Sequence, residues 1–245
     1  MTFSAALDRI RIVLSHPSHP GNIGATARAM KTMGLSQLVL VNPRSFPHPD
    51  ADARSSNARD VLANAIVVDS LDAALAGTVL AIGAVGHRYD MAHELVSCRV
   101  AAGRAVADAA VGAPVAFVFG TETAGLTTDE MLRCNLLAHI PADPDYASLN
   151  LGAAVQVFAY ELRMAAVETA LPVQPAPPLA THDDIERLHV HLEQVMTRIG
   201  FFDPANPKRL LPRLRRLIAR ARLEVEEVRI LRGLLTTLSK ALKVD

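Results

Sequence analysis

Cysteine is scarce: Cys98 and Cys134 are the only two in 245 residues. With no CxxC pair and no histidine pair nearby, they make neither a disulfide framework nor a zinc site. An excess of one charge is missing as well. Twenty-five lysines and arginines balance twenty-five aspartates and glutamates, so a polyanion would have to be held by local clustering of cations. No apolar run approaches the ~20 residues that span a bilayer. The opening MTFSAALDRIRIVL lacks the basic-then-apolar-then-small order of a signal peptide, so a cytoplasmic protein without a membrane segment is expected. Also absent are GxGxxG, GxxxxGK[ST], HExxH and GxSxG, the anchors of dinucleotide, P-loop, zinc-protease and hydrolase sites. His16 and His19, in HPSHP, are weak evidence for a metal, and loop-surface roles are expected instead.

Half of the residues are hydrophobic, enough for a sizeable core. Short aliphatic or β-branched runs recur at Ile10 to Leu14, Leu38 to Val41, Ile66 to Val68, Thr78 to Ile82, Val115 to Phe119 and Leu136 to Ile140. Each reads as a buried strand. Alanine-rich stretches with helical spacing, such as Ala25 to Met33 and Ala101 to Ala110, lie between them. This alternation predicts an α/β fold with a mostly parallel sheet and helices on both faces, whose ligands bind beyond the carboxyl ends of the strands. A long helix is expected from about Leu149 to Glu168, with Gly152 and Ala153 allowing a neighbour close. Residues 171–180, LPVQPAPPLA, hold four prolines and no charge, which suits an extended connector. The expected division is therefore a domain over 1–170, a linker over 171–180 and a helical extension over 181–245.

In that extension Ile185, Leu188, Leu192, Val195, Met196 and Ile199 fall at helical steps, closed by Gly200. A second helix is expected from about Pro212, and a third carries Val228, Leu231, Leu235, Leu238 and Leu242. Lys208, Arg209, Arg213, Arg215, Arg216, Arg220 and Arg222 have no acidic residue among them. If Leu214, Leu217, Ile218 and Ala221 turn inward, Arg213, Arg216 and Arg220 form an outward ridge that would repel itself without a polyanion nearby. RNA is the expected partner.

Three segments carry candidate chemistry. In the first, Asn22-Ile23-Gly24-Ala25-Thr26-Ala27-Arg28, Asn22 is a candidate helix cap. Arg28 shares a helical face with Gly24, so its guanidinium would lean over a bare glycine toward the strand ends, where it could fork onto a phosphate; an arginine merely packed along the helix is the alternative. The second, Phe119-Gly120-Thr121-Glu122-Thr123-Ala124-Gly125-Leu126, runs a strand into a glycine-bracketed loop bearing one carboxylate. The third is Ile140-Pro141 followed by Tyr146-Ala147-Ser148-Leu149-Asn150-Leu151, where Ser148 reads as a helix cap.

In this order and spacing the segments resemble the TrmJ branch of the SpoU, or TrmH, family of RNA ribose methyltransferases. NIGATARAMKTMGL is similar to its first motif, FVFGTETAGLT to its second and YASLNLGAAVQVFAYEL to its third, over most of residues 8–168. HLEQVMTRIGF, LRRLIARARLE and ILRGLL resemble the family's helical extension. The resemblance implies a sheet closed by a trefoil knot, a homodimer, no metal, and S-adenosyl-L-methionine held by Ala84, Val85, Gly86, Gly120, Ile140, Ala147, Ser148 and Leu149. It also implies methylation of a ribose 2′-hydroxyl at nucleotide 32 of the tRNA anticodon loop. Arg28 matches the family arginine often proposed as the base, but a guanidinium holds its proton too firmly for that role, so Arg28 is expected to clamp the target phosphate and stabilise developing alkoxide charge, with Asn22, Glu122, Ser148 and Asn150 orienting it and the ribose. Ribosomal RNA as substrate, or a non-catalytic RNA-binding role, are the alternatives. Thr121, Thr123 and His87 stand where close relatives tend to carry arginine, with Arg88 one place along.

Overall fold

The computed structural model describes residues 3–86, 94–168 and 177–241; His87, Arg88 and Leu242 lie outside them. A short helix α1 (Phe3–Leu7) leads into β1 (Ile10–Ser15), α2 (Pro20–Met33) and β2 (Gln37–Val41). Next come α3 (Pro49–Ser55), α4 (Arg59–Ala63), β3 (Ile66–Val68), α5 (Leu71–Leu75) and β4 (Leu80–Val85). The layer is completed by β5 (Leu95–Ser97), α6 (Cys98–Ala110), β6 (Val115–Phe119), α7 (Thr128–Leu132), β7 (Leu136–His139) and α8 (Leu151–Glu168). Three helices follow: α9 (His182–Arg198), α10 (Leu210–Ala221) and α11 (Val225–Ala241).

Seven strands form one sheet in the order β3-β2-β1-β6-β4-β7-β5, each pair parallel. Alternation of side chains divides the core between the two faces. Ile12 and Leu14 of β1 and Phe117 and Phe119 of β6 join α2, α6 and α8 in one cluster, while Val13 and Val118 join α5 and α7 in the other. Central strands buried on both faces read as apolar runs, which is why β6 and, despite Arg11 reaching out to the Ala74 and Ala76 carbonyls, β1 were visible in the sequence. Phe158 of α8 meets Phe117 and Phe119 edge-on, at centroid distances of 5.7 and 5.3 Å. The expected α/β architecture with a helical C-terminal region is thus present.

Local details differ from expectation. β3 is an edge strand with Ile66 and Val67 more than half exposed, because β-branched residues report a strand without reporting what covers it. β5 was unforeseen, being too short to show a period. The helix α2 begins at Pro20 after His19, so Asn22 lies inside the first turn and does not cap it. Likewise α8 starts at Leu151, and Asn150, not Ser148, accepts the Gly152 N–H at 3.0 Å. Gly152 does permit a close neighbour, but within the chain: a β-carbon there would sit 2.7 Å from Ala25 Cβ.

The C-terminal helices bury Leu188, Val195, Ile218, Val228 and Leu235 together. Thr181 and Asp184 form a capping box that starts α9, and Gly200, at a φ of 73°, ends it. Of the expected connector over 171–180, residues 171–176 lie outside the described residues; Leu179 and Ala180, at its end, pair with the backbone of Glu224 and Leu223. Several contacts tie the helices to the sheet. The His182 N–H donates to Thr78 O at 2.6 Å, the Gly77 N–H to Asp183 at 3.2 Å, and Arg222 pairs with Asp108.

Candidate active site at the carboxyl edge of the sheet

β1, β4, β6 and β7 all end at the same edge, and the loops after β4, β6 and β7, with the start of α8, line a cavity of about 340 Å³. From β4 come Ala84, Val85 and Gly86; from β6, Gly120 and Glu122; after β7, Ile140, Ala147, Ser148 and Leu149. All eight residues that the resemblance assigned to a cofactor line this one space, with Phe119 and Phe158 among its apolar walls. Its size falls in the range of small-molecule sites. Gly120 serves the loop more than any ligand, because a β-carbon there would overlap the backbone of Gly125. That approach lets Thr121 and Gly125 exchange backbone hydrogen bonds of 3.1 and 2.9 Å, and Gly125 turns the chain at a φ of 68°.

Glu122 rides on this turn and reaches across to the loop after β1. One carboxylate oxygen accepts the Ser18 N–H at 3.0 Å and its hydroxyl at 2.8 Å. The other accepts the His19 N–H at 3.0 Å and the Asn22 amide at 3.1 Å. Burial alone would raise its pKa, but these donors outweigh it and bring the carboxyl down to about 2. So low a value makes Glu122 a permanent anion and a poor base. The Asn22 carbonyl oxygen in turn accepts from the Asn150 amide at 2.9 Å. A continuous chain therefore runs from the β6 loop through α2 to the start of α8. Three of the five expected catalytic residues are joined this way. Ser148 faces the cavity, exposed.

Arg28 is placed differently. It is exposed, lines neither this cavity nor the adjoining groove, and makes no side-chain hydrogen bond or ion pair among the described residues. Gly24 does not clear a path for it: a β-carbon on Gly24 would overlap the Ala51 carbonyl, so that glycine serves the packing of α2 on α3. At 100° per residue, Arg28 instead lies on the stripe of α2 that holds Gly21, Ala25 and Thr32, of which Arg28 and Thr32 are exposed.

The basic helix α10 is rotated from expectation. Arg213 and Arg220 are exposed, but Arg216 is half-buried with its Nε unpartnered, and Leu217 faces solvent at 53% exposure. Arg215 takes an inward position, forking onto Glu186 at 2.6 and 2.8 Å. Burial, reinforced by Arg215, pushes neighbouring His189 down to about 4. A partly buried fork of this kind satisfies a guanidinium that the apolar pattern alone would have assigned outward. Two of the seven cations, Arg215 and Arg222, are thus spent on internal carboxylates.

Comparison with known proteins gives this geometry a lineage. Residues 9–160 match the SpoU rRNA Methylase family. The chain belongs to that family. Its residues 183–245 match the family described as the tRNA methyltransferase TrmJ C-terminal domain. A curated relative from Pseudomonas aeruginosa, named tRNA (cytidine/uridine/adenosine-2′-O-)-methyltransferase TrmJ, is 47% identical, covering 96% of this chain and 95% of its own. One from Yersinia enterocolitica, named tRNA (cytidine/uridine-2′-O-)-methyltransferase TrmJ, is 46% identical, covering 96% and 93%. The crystal structure of TrmJ from Z. mobilis superposes with a TM-score of 0.82 at 31% identity, covering 94% of this chain and 98% of that one.

Within this SpoU methylase, several supporting residues had escaped sequence reasoning. Ser18 and His19 supply three of the four donors to Glu122, two of them backbone N–H groups that any residue but proline would present. Buried Ser15 donates to Glu130, which itself closes the capping box of α7 with Thr127. Only the capping-box spacing of Thr127 and Glu130 was legible. Among the described residues no helix is long and apolar enough to cross a membrane.

Proposed function

We propose that this SpoU-family chain transfers a methyl group from S-adenosylmethionine to a ribose 2′-hydroxyl of tRNA, at nucleotide 32 where the anticodon loop opens, working in the cytoplasm as a homodimer without metal. The observation that carries the reading is the single cavity in which all eight expected cofactor residues meet, next to the Glu122–Asn22–Asn150 chain. Apolar walls from Phe119, Ile140 and Phe158 suit an aromatic base, and the glycine-rich turns bring backbone groups to its edge. The same reading includes the family's trefoil knot around the cavity.

When bound, S-adenosylmethionine would supply a methyl already activated on a sulfonium, and Ala84 to Gly86, Gly120, Ile140 and Ala147 to Leu149 would hold it. The protein's task is alignment. Glu122, anionic and saturated with donors, holds the loop after β1 and the amide of Asn22 in one orientation. Asn22 and Asn150 then fix the start of α8 and the wall on which Ser148 stands, and its unspent hydroxyl faces the cavity to meet the ribose. Arg28, outward on α2 and unpaired, meets the phosphate backbone and stabilises developing negative charge. On the second part of the chain, Arg213 and Arg220 with the flank of Arg216 engage RNA phosphates, so 1–170 carries the chemistry and 181–245 the docking. Calorimetry should show saturable binding of S-adenosylmethionine and of its demethylated product, and tRNA from cells lacking the gene should lose one ribose methylation. A folded protein that binds neither compound overturns the reading, and a lost mark on ribosomal RNA would replace the substrate.

A further inference from the structure

An open groove adjoins the cavity on the far side of the Asn22–Asn150 pair, between α3 and the start of α2, and it includes Gly21, Asp50 and Arg54. Arg54, in the last turn of α3, lays its stem along Gly21: a β-carbon on that glycine would stand 3.6 Å from the arginine Cγ and Nε. The side chain is exposed and makes no hydrogen bond or ion pair among the described residues. Nearby Lys31, by contrast, is spent on Asp60 and the Asn57 carbonyl. We propose that this groove seats the nucleotide that is methylated and that Arg54 holds a phosphate flanking its ribose, a substrate-binding residue for the reaction proposed above, on which this assignment rests.

Three observations support it. Asn22 and Asn150 line the groove and are bonded, through Asn22, to Glu122 in the cavity wall, so a sugar entering from this side passes the groove before it reaches the cavity. Gly21 and Arg28 lie on one stripe of α2 and stand seven residues apart, roughly 10 Å along the helix. Arg54 over Gly21 and Arg28 farther along therefore mark two ends of one track, each an unspent guanidinium able to fork onto phosphate. Asp50 sits one turn back along α3 on the same groove, where its charge repels a second phosphate. Beside Arg54 the groove thus suits one phosphate with its sugar.

The experiment compares wild type, Arg54→Gln and Arg54→Lys in methyl transfer to a tRNA transcript, reading KM and kcat separately across a salt series, with S-adenosylmethionine affinity measured alongside. Arg54→Gln should raise the KM for tRNA about tenfold or more, the weight of one charge-assisted hydrogen bond, with kcat and cofactor affinity nearly unchanged. Its salt slope should flatten by roughly one charge, and Arg54→Lys should restore the slope without restoring the full affinity. An unchanged KM and slope in an active background overturns the role of Arg54 alone. A fall in kcat at constant KM overturns it too, since the residue would then act on the reacting atoms and not on docking. A wild-type protein that methylates no RNA overturns the proposed function and this assignment with it.

Discussion

The carboxyl edge of the sheet and the C-terminal helices handle polar groups in opposite ways. At the edge, Glu122 is saturated by four donors and Asn22 and Asn150 are engaged with it or with each other, so these side chains are held in place by the protein itself. Along α10, Arg213 and Arg220 stand exposed, and only the inward cations are paired. A small ligand needs a preformed shape, because alignment of reacting atoms tolerates little error. A polyanion needs unspent charge, because its affinity comes from counterions released at each phosphate contact. Arg28 and Arg54 follow the second rule while standing beside the first region.

The strongest way to break this comparison is to deform the preformed side. Gly120→Ala would drive a methyl into the Gly125 backbone, so the β6 loop must open and saturable S-adenosylmethionine binding should be lost in calorimetry while far-ultraviolet circular dichroism persists. Next in size, Arg28→Ala should lower methyl transfer by a factor of ~100 or more, as for loss of one donor to developing charge, and leave cofactor affinity nearly intact. A variant that transfers normally would return Arg28 to a packing role.

Replacing Arg213, Arg216 and Arg220 by glutamine tests the other side. Filter binding should show weaker tRNA affinity and a salt slope flattened by up to roughly one charge per lost contact, with Arg216 contributing least because it is half-buried. Unchanged affinity and slope would make α10 a structural surface. The smallest effect concerns pH. Glu122 is held near 2 in the folded protein against an ordinary value of 4.5. Its contribution to stability is therefore complete above about 4.5 and fades as pH falls toward 2. Urea unfolding of wild type and Glu122→Gln should differ most at neutral pH and converge in acid. A gap that stays constant down to pH 3 would mean that the bonds to Glu122 do not depend on its charge.

Much of this was legible in the linear chain, for identifiable reasons. Central strands such as Val115 to Phe119 announce themselves because both faces are buried, and the three loop segments carry residue types with few alternative uses. Amphipathic spacing located α9 and α11 because each buries a single apolar stripe. It misjudged α10, because whether an arginine faces out depends on whether a carboxylate such as Glu186 waits inside, and that carboxylate comes from another helix.

By itself, then, the sequence determined the α/β alternation and the helical extension, since both follow from local periodicity, while the residues expected at the site came from the resemblance of three segments to a family. Tertiary structure alone decided which backbone N–H groups meet Glu122, that Gly24 and Gly152 serve packing within the chain, and that Arg28 and Arg54 remain unspent. Those outcomes depend on residues brought together from distant parts of the chain, such as Asn22 and Asn150, and no periodicity within a single segment encodes such a meeting.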